Sequence, residues 1–154
     1  MPHFVWQKGG DKISKAGKYK TSKIMALANE AGQIQAFEIG NGGESDHKAV
    51  MPILKHIPKK VWVTLDKGFD SKKLRRQIRY KQASPLCPRR QFGIMPVRRT
   101  PKPFIYRTRW MMEQAFSRTD QFKTLLTRQE RNVYHYKQYW YLGLSWLEIK
   151  KLTG

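Results

Sequence analysis

Two carboxylates, Asp66 and Glu113, stand where acidic oxygens could carry out metal-assisted phosphodiester chemistry. Asp66 directly follows Val61-Trp62-Val63-Thr64-Leu65, a run of β-formers, and Glu113 follows an arginine-rich stretch, 113 − 66 = 47 residues later. Mg2+ takes carboxylate and water oxygens and must reach the phosphate, so cutting a phosphodiester calls for acids that converge from strand and helix ends. By residue type alone each acid has a plainer role. A strand-terminal Asp commonly makes a turn or caps a helix, and a helical Glu commonly faces solvent. His3, His47, His56 and His135 show no ligand spacing. The single cysteine, Cys87, leaves no intrachain disulfide and no cysteine-based zinc site, so a metal would sit on oxygen. Within Leu-Cys-Pro, Cys87 reads as a small buried apolar residue.

The elements that must position these acids can be read from pattern. Residues 7–20 are Gly- and Lys-rich, and residues 1–20 read as a basic loop. Ser22 to Ala28 and Gln33 to Ile39, separated by Asn29-Glu30-Ala31-Gly32, form a hairpin. Ser45 is placed to cap a helix carrying Val50, Ile53, Leu54 and Ile57 on one face, which Pro58 ends. Val61 to Leu65 reads as a central strand covered on both faces. Gly68 permits a sharp turn after Asp66, and Asp70 or Ser71 caps a helix reaching about Lys81, with Leu74 and Ile78 inward. Ala83 to Cys87 suits another strand. Residues 88–109, rich in proline and arginine, read as an exposed basic loop, followed by a helix from about Arg107. Tyr134, Tyr136, Tyr139, Trp140, Tyr141 and Trp146 lie on a largely apolar helix and are expected in the core rather than stacked on bases.

Composition narrows the partners. In 154 residues, 31 Lys plus Arg face 11 Asp plus Glu, a net charge of +20, and such a chain binds a polyanion with release of counterions. No segment approaches the roughly 20 uninterrupted apolar residues of a membrane span. The first eight residues carry no secretory pattern, so cytoplasmic residence is expected. With 40% hydrophobic residues the chain can build one core.

Read as strings, the same residues point to a family. Val63-Thr64-Leu65-Asp66-Lys67-Gly68-Phe69-Asp70-Ser71 resembles the ADKGYDS segment of DDE-type insertion-sequence transposases of families four and five, whose first Asp is the second catalytic acid. Tyr106-Arg107-Thr108-Arg109-Trp110-Met111-Met112-Glu113 resembles their signature of Tyr, two residues, Arg, three residues, Glu, in which the Glu is the third acid. Upstream, Gly17-Lys18-Tyr19-Lys20-Thr21-Ser22-Lys23-Ile24 is similar to the GRSRGGLTTKIH stretch and Gly43-Glu44-Ser45-Asp46 to the GQAHD stretch. Essentially the whole chain is covered, in order.

The resemblance implies an α/β fold of the ribonuclease H-like kind, a mixed sheet with flanking helices. It implies Mg2+, with Mn2+ as the alternative, held by Asp66 and Glu113, and DNA held by Tyr106 and Arg109. The loop residues Arg89, Arg90, Arg98, Arg99 and Lys102 are the phosphate contacts it favours. The DNA would be terminal inverted repeats, cut and joined in transposition, and the protein would be bacterial and nucleoid-associated. A homodimer mate or an upstream-frame transposase chain is the expected protein partner, with no membrane involved.

Two departures from the family pattern matter. A Lys or Arg belongs seven positions after the Glu, about two helical turns, where this chain has Asp120. The family's first acid lies on a strand upstream of the GRSRGG stretch, so residues 1–154 are expected to be a partial catalytic domain: a basic loop at 1–20, then a core at 21–154 lacking its first strand. Asp11 precedes Glu30 as the only upstream acid, in a Gly- and Lys-rich context unlike a strand end. Such a chain is expected to be unstable or to aggregate in isolation. The alternative function is a non-catalytic DNA-binding fragment that competes with or regulates a full-length transposase.

Overall fold

The computed structural model describes residues 3–6, 11–16, 19–88 and 102–153; for 3–6, 16, 19 and 102–109 it describes the main chain. Two short strands, β1 (His3–Trp6) and β2 (Ser14–Ala16), run antiparallel to the long β3 (Tyr19–Ala28). β1 lies along one edge of β3, opposite Thr21 to Ile24, while β2 and then β4 (Ile34–Asn41) follow one another along the other. The basic loop expected over residues 1–20 therefore contains strand. Neither strand has a local periodicity of its own; pairing with β3 makes them, and pairing over long separations leaves no local trace.

The β3–β4 turn is where the hairpin reading placed it. Asn29 Oδ1 accepts from the amides of Ala31 and Gln33, both at 3.0 Å, and Gly32 takes φ +70°, a left-handed conformation that suits glycine. Strict alternation then sends Met25 and Leu27 to one face of the hairpin and Ile24 and Ala26 to the other. A bulge at Leu27/Ala28 skips one residue of register, and so Ile34 faces the same side as Phe37 and Ile39 although its parity says otherwise.

Each face carries its own core. On the Met25 side lie α1 (Asp46–Ala49), a 3-10 turn over Met51–His56, β5 (Trp62–Thr64), α2 (Lys72–Tyr80) and β6 (Ser84–Leu86), with Ile53, Leu54, Val63, Phe69, Leu74 and Ile78 buried among them. β5 and β6 pair in parallel as a separate two-stranded sheet, not as part of one mixed sheet. Nor is β5 covered on both faces: Val63 is buried but Trp62 is 69% exposed. Pro52 sits in the first turn of the 3-10 segment, where its missing N–H costs nothing, and the single long helix expected after Ser45 becomes two short pieces.

On the Ile24 side lie α3 (Lys102–Thr119), α4 (Lys123–Leu126) and α5 (Val133–Thr153). α3 starts at Lys102, earlier than the loop reading to Arg109 allowed, because Pro103 falls in its first turn, where proline is tolerated. Residues 89–101 of that loop lie outside the described residues. α5 contributes a narrow stripe of Tyr136, Trp140 and Gly143 to the core. Tyr134, Tyr139, Tyr141 and Trp146 are 41–65% exposed, which corrects the expectation that the whole aromatic set is core.

Buried polar groups tie both layers to β3. Arg128, 2% exposed, donates through Nη1 to Ser22 Oγ (2.8 Å), through Nε to Glu130 O (2.7 Å) and through Nη2 to Arg131 O (2.9 Å), with its guanidinium 4.9 Å from the Tyr136 ring centre. On the opposite face Lys23, 4% exposed, reaches Asp46 Oδ1 at 2.7 Å and the Glu44 carbonyl, fixing α1 to the sheet.

Candidate active site

Asp66 is set by the strand before it and the turn after it. β5 and β6 bring Thr64 opposite Leu86, the Leu65 amide donates to Leu86 O at 2.9 Å, and the strand then gives way to a 3-10 turn over Lys67–Phe69. Asp66 caps that turn: Oδ1 accepts from the Lys67 amide at 2.8 Å, and its carbonyl takes the Phe69 amide at 2.9 Å. The plain capping role is thus realised, and it engages one carboxylate oxygen. Oδ2 has no partner among the described residues, and Asp66 as a whole is exposed. Gly68 has open space at its Cβ position, so no close approach demands glycine there.

The turn is braced by Cys87, buried as expected, and by a pairing of Arg75 with Asp70 that no sequence pattern signalled. Cys87, buried, points its thiol at Asp66 O at 3.3 Å. Arg75, from α2, donates through Nη2 to Cys87 O (2.7 Å) and through Nε and Nη2 to Asp70 Oδ1 (3.0 and 2.8 Å). Asp70 and Arg75 are five apart with Asp70 outside the helix, so the pair matches no helical spacing rule and gave no local signal. Ser71, as expected, caps α2, its Oγ accepting from the Leu74 amide at 3.5 Å. His47, held on α1 beside the Lys23 and Asp46 pair, meets the Phe69 ring edge-on at 6.5 Å, linking the hairpin to the Asp66 turn.

Glu113 lies on α3, exposed, while Met112, Ala115, Phe116 and Thr119 turn toward the core. Arg109 is one turn before it and Tyr106 one turn before that, on the same helix; their side chains, and that of Lys102, lie outside the described residues. Arg89, Arg90, Arg98 and Arg99 lie outside them altogether. Asp120 follows the helical end at Thr119, in a turn where its amide donates to Ser117 O at 3.2 Å.

The two acids belong to elements packed on opposite faces of the β3–β4 hairpin. Among the described residues no group of three or more His, Cys, Asp or Glu is gathered as a metal site. Carboxylate oxygens are the right donors for a hard divalent ion. None of the described helices is long and apolar enough to cross a membrane.

A protein-family model described as "Transposase DDE domain" matches residues 2–142. Neither the curated proteins nor the solved structures give a significant match.

Proposed function

Since the chain belongs to the transposase DDE domain family, whose work is DNA transposition and whose domains use divalent metal ions, we propose that it supplies Asp66 and Glu113 to an insertion-sequence transposase of families four and five. In this reading residues 1–154 are the carboxy-terminal part of a ribonuclease H-like catalytic domain. The two acids hold Mg2+ or Mn2+ for cleavage and strand transfer at terminal inverted repeats, Tyr106 and Arg109 hold DNA from α3, and Arg89, Arg90, Arg98, Arg99 and Lys102 contact phosphates. The third acid comes from an upstream strand or a partner chain, in a homodimer or with an upstream-frame product, and the protein works on the bacterial nucleoid. One observation supports it most: Asp66 lies two residues past the end of β5 with its main chain braced by Cys87 and Arg75 and Oδ2 unpartnered among the described residues. A brace of this kind holds a ligand at fixed geometry before metal arrives.

The test is nicking of duplex DNA bearing the terminal inverted repeats, with Mg2+ or Mn2+, by the chain alone and by the chain joined to its upstream segment. Cleavage is expected only in the joined form and is lost in Asp66→Ala and Glu113→Ala. Cleavage that survives both substitutions overturns the assignment.

A second reading, a DNA-binding fragment without catalysis that competes with or regulates a full-length transposase, is favoured by one observation: the layers bearing the two acids lie on opposite hairpin faces with no three-donor cluster among the described residues. Salt-dependent binding by both forms, with no nicking by either, would establish it.

A further inference from the structure

Helix α2 buries Leu74 and Ile78 against the Met25-side core, and at 100° per residue the arc opposite them is occupied by Arg79, Lys72, Arg76, Tyr80 and Lys73. All five are exposed. α2 has no acid in its first turn, and none of its residues 72–80 is acidic. Lys72, Lys73, Arg76 and Arg79 have no carboxylate partner among the described residues; the acid nearest in sequence, Asp70, is held by Arg75. From the geometry we infer that this face of α2 is a docking surface for the sugar-phosphate backbone of duplex DNA, separate from the contacts assigned to the loop at 88–109 and to α3.

Three observations favour a duplex backbone over other anions. The row from Lys72 to Tyr80 is about 12 Å long at 1.5 Å per residue, which matches roughly three phosphates of one strand at about 3.4 Å of axial rise each. The Tyr80 ring is engaged by Arg76: the guanidinium lies 5.4 Å from the ring centre, and Arg76 Nε donates to Tyr80 Oη at 2.9 Å. That bond also restrains the guanidinium and leaves its two terminal nitrogens as donors for a phosphate. Apart from Tyr80 the arc has no apolar residue to enter a lipid surface. The surface begins at Lys72, six residues past Asp66, with only the 3-10 turn and the Ser71 cap between them. A backbone laid along α2 is thereby led toward the Asp66 carboxylate. The inference rests on the transposase reading only in taking DNA as the polyanion.

The experiment measures binding of the full chain to a duplex of arbitrary sequence, by fluorescence anisotropy from about 50 to 200 mM salt. The variants are Lys72→Ala/Arg76→Ala/Arg79→Ala, its charge-keeping counterpart Lys72→Arg/Arg76→Lys/Arg79→Lys, and a control that removes equal charge elsewhere, Lys20→Ala/Lys48→Ala/Lys123→Ala. The first is expected to lower affinity by about tenfold or more and to reduce the slope of log affinity against log salt by about 3, one for each phosphate that is no longer neutralised. The charge-keeping variant should retain the slope. An unchanged slope in the first variant, or an equal loss in the control, overturns the inference. So does loss of binding to anionic vesicles or single-stranded DNA with duplex binding intact. If the first variant loses duplex affinity while no form of the protein nicks DNA, the surface stands and the nuclease reading falls. If nicking depends on Asp66 while duplex binding ignores α2, the reverse holds.

Discussion

The Cys87 thiol sits 3.3 Å from the main-chain oxygen of Asp66, and the Cys87 carbonyl in turn accepts from Arg75 at 2.7 Å. One guanidinium thus fixes both the strand end that carries the candidate acid and, through Asp70, the start of the helix behind it. The bonds join β6, the turn after β5 and α2, which otherwise meet mainly through apolar packing.

Arg75→Met should therefore cost about 2 kcal/mol of stability, because hydrogen bonds to a charged group are removed while the Cys87 carbonyl and Asp70 remain half-buried. Urea unfolding of the variant beside Asp70→Asn measures this. Two variants as stable as the parent would show that the brace holds nothing.

Glu38 contributes to the response to acid. Burial by itself would raise its pKa, but hydrogen bonds and charge from Lys55 (3.0 Å) and Lys137 (3.1 Å) hold it below the ordinary 4.5. A carboxyl depressed in the folded state contributes stability that is present above its unfolded pKa and is lost as pH falls through the folded one. Stability should accordingly decline below about pH 4.5 in the parent and decline less steeply in Glu38→Gln. Urea midpoints taken stepwise through that range measure it, and identical acid limbs would remove Glu38 from the explanation.

Tyr136 sets the response to base. Burial pushes its phenol from 10.0 up to about 12, against the lowering effect of the Arg128 guanidinium, and its Oη donates to Leu125 O at 2.6 Å. A pKa raised in the folded state gives stability that is complete below pH 10 and lost as pH rises toward about 12. In a spectrophotometric titration one tyrosine should ionise well after the others, together with unfolding, and Tyr136→Phe should abolish that late step. A late step persisting in Tyr136→Phe would assign it to another residue.

How far the sequence carries is clearest at individual elements. The Asn29–Gly32 turn and the Ser71-capped helix are legible because side-chain-to-backbone bonds within a few residues determine them. β1 is not, since its four residues become a strand only against Thr21 to Ile24. The end of β5 locates Asp66, but the Cys87 and Arg75 brace joins residues 12 to 21 apart and has no periodic signature. α5 misleads because its aromatic and aliphatic residues are spread round the helix, a pattern that usually means burial, whereas only Tyr136, Trp140 and Gly143 are fully buried and Val133 and Leu144 partly so. Glu113 falls on a helix as its pattern predicts, yet which layer that helix joins depends on Met112 and Phe116 finding Ile24 and Phe37 across the chain.

The most direct measurement is Mn2+ binding, followed by electron paramagnetic resonance, to the DNA-bound protein joined to its upstream segment. It compares the parent with Asp66→Asn, Glu113→Gln and the double variant. If the two carboxylates grip the same ions, each single substitution weakens Mn2+ at least about tenfold and the double variant is little worse than either, since residues acting as a unit are non-additive. Independent, additive losses, or tight Mn2+ retained in Asp66→Asn, would contradict a shared metal centre at Asp66 and Glu113.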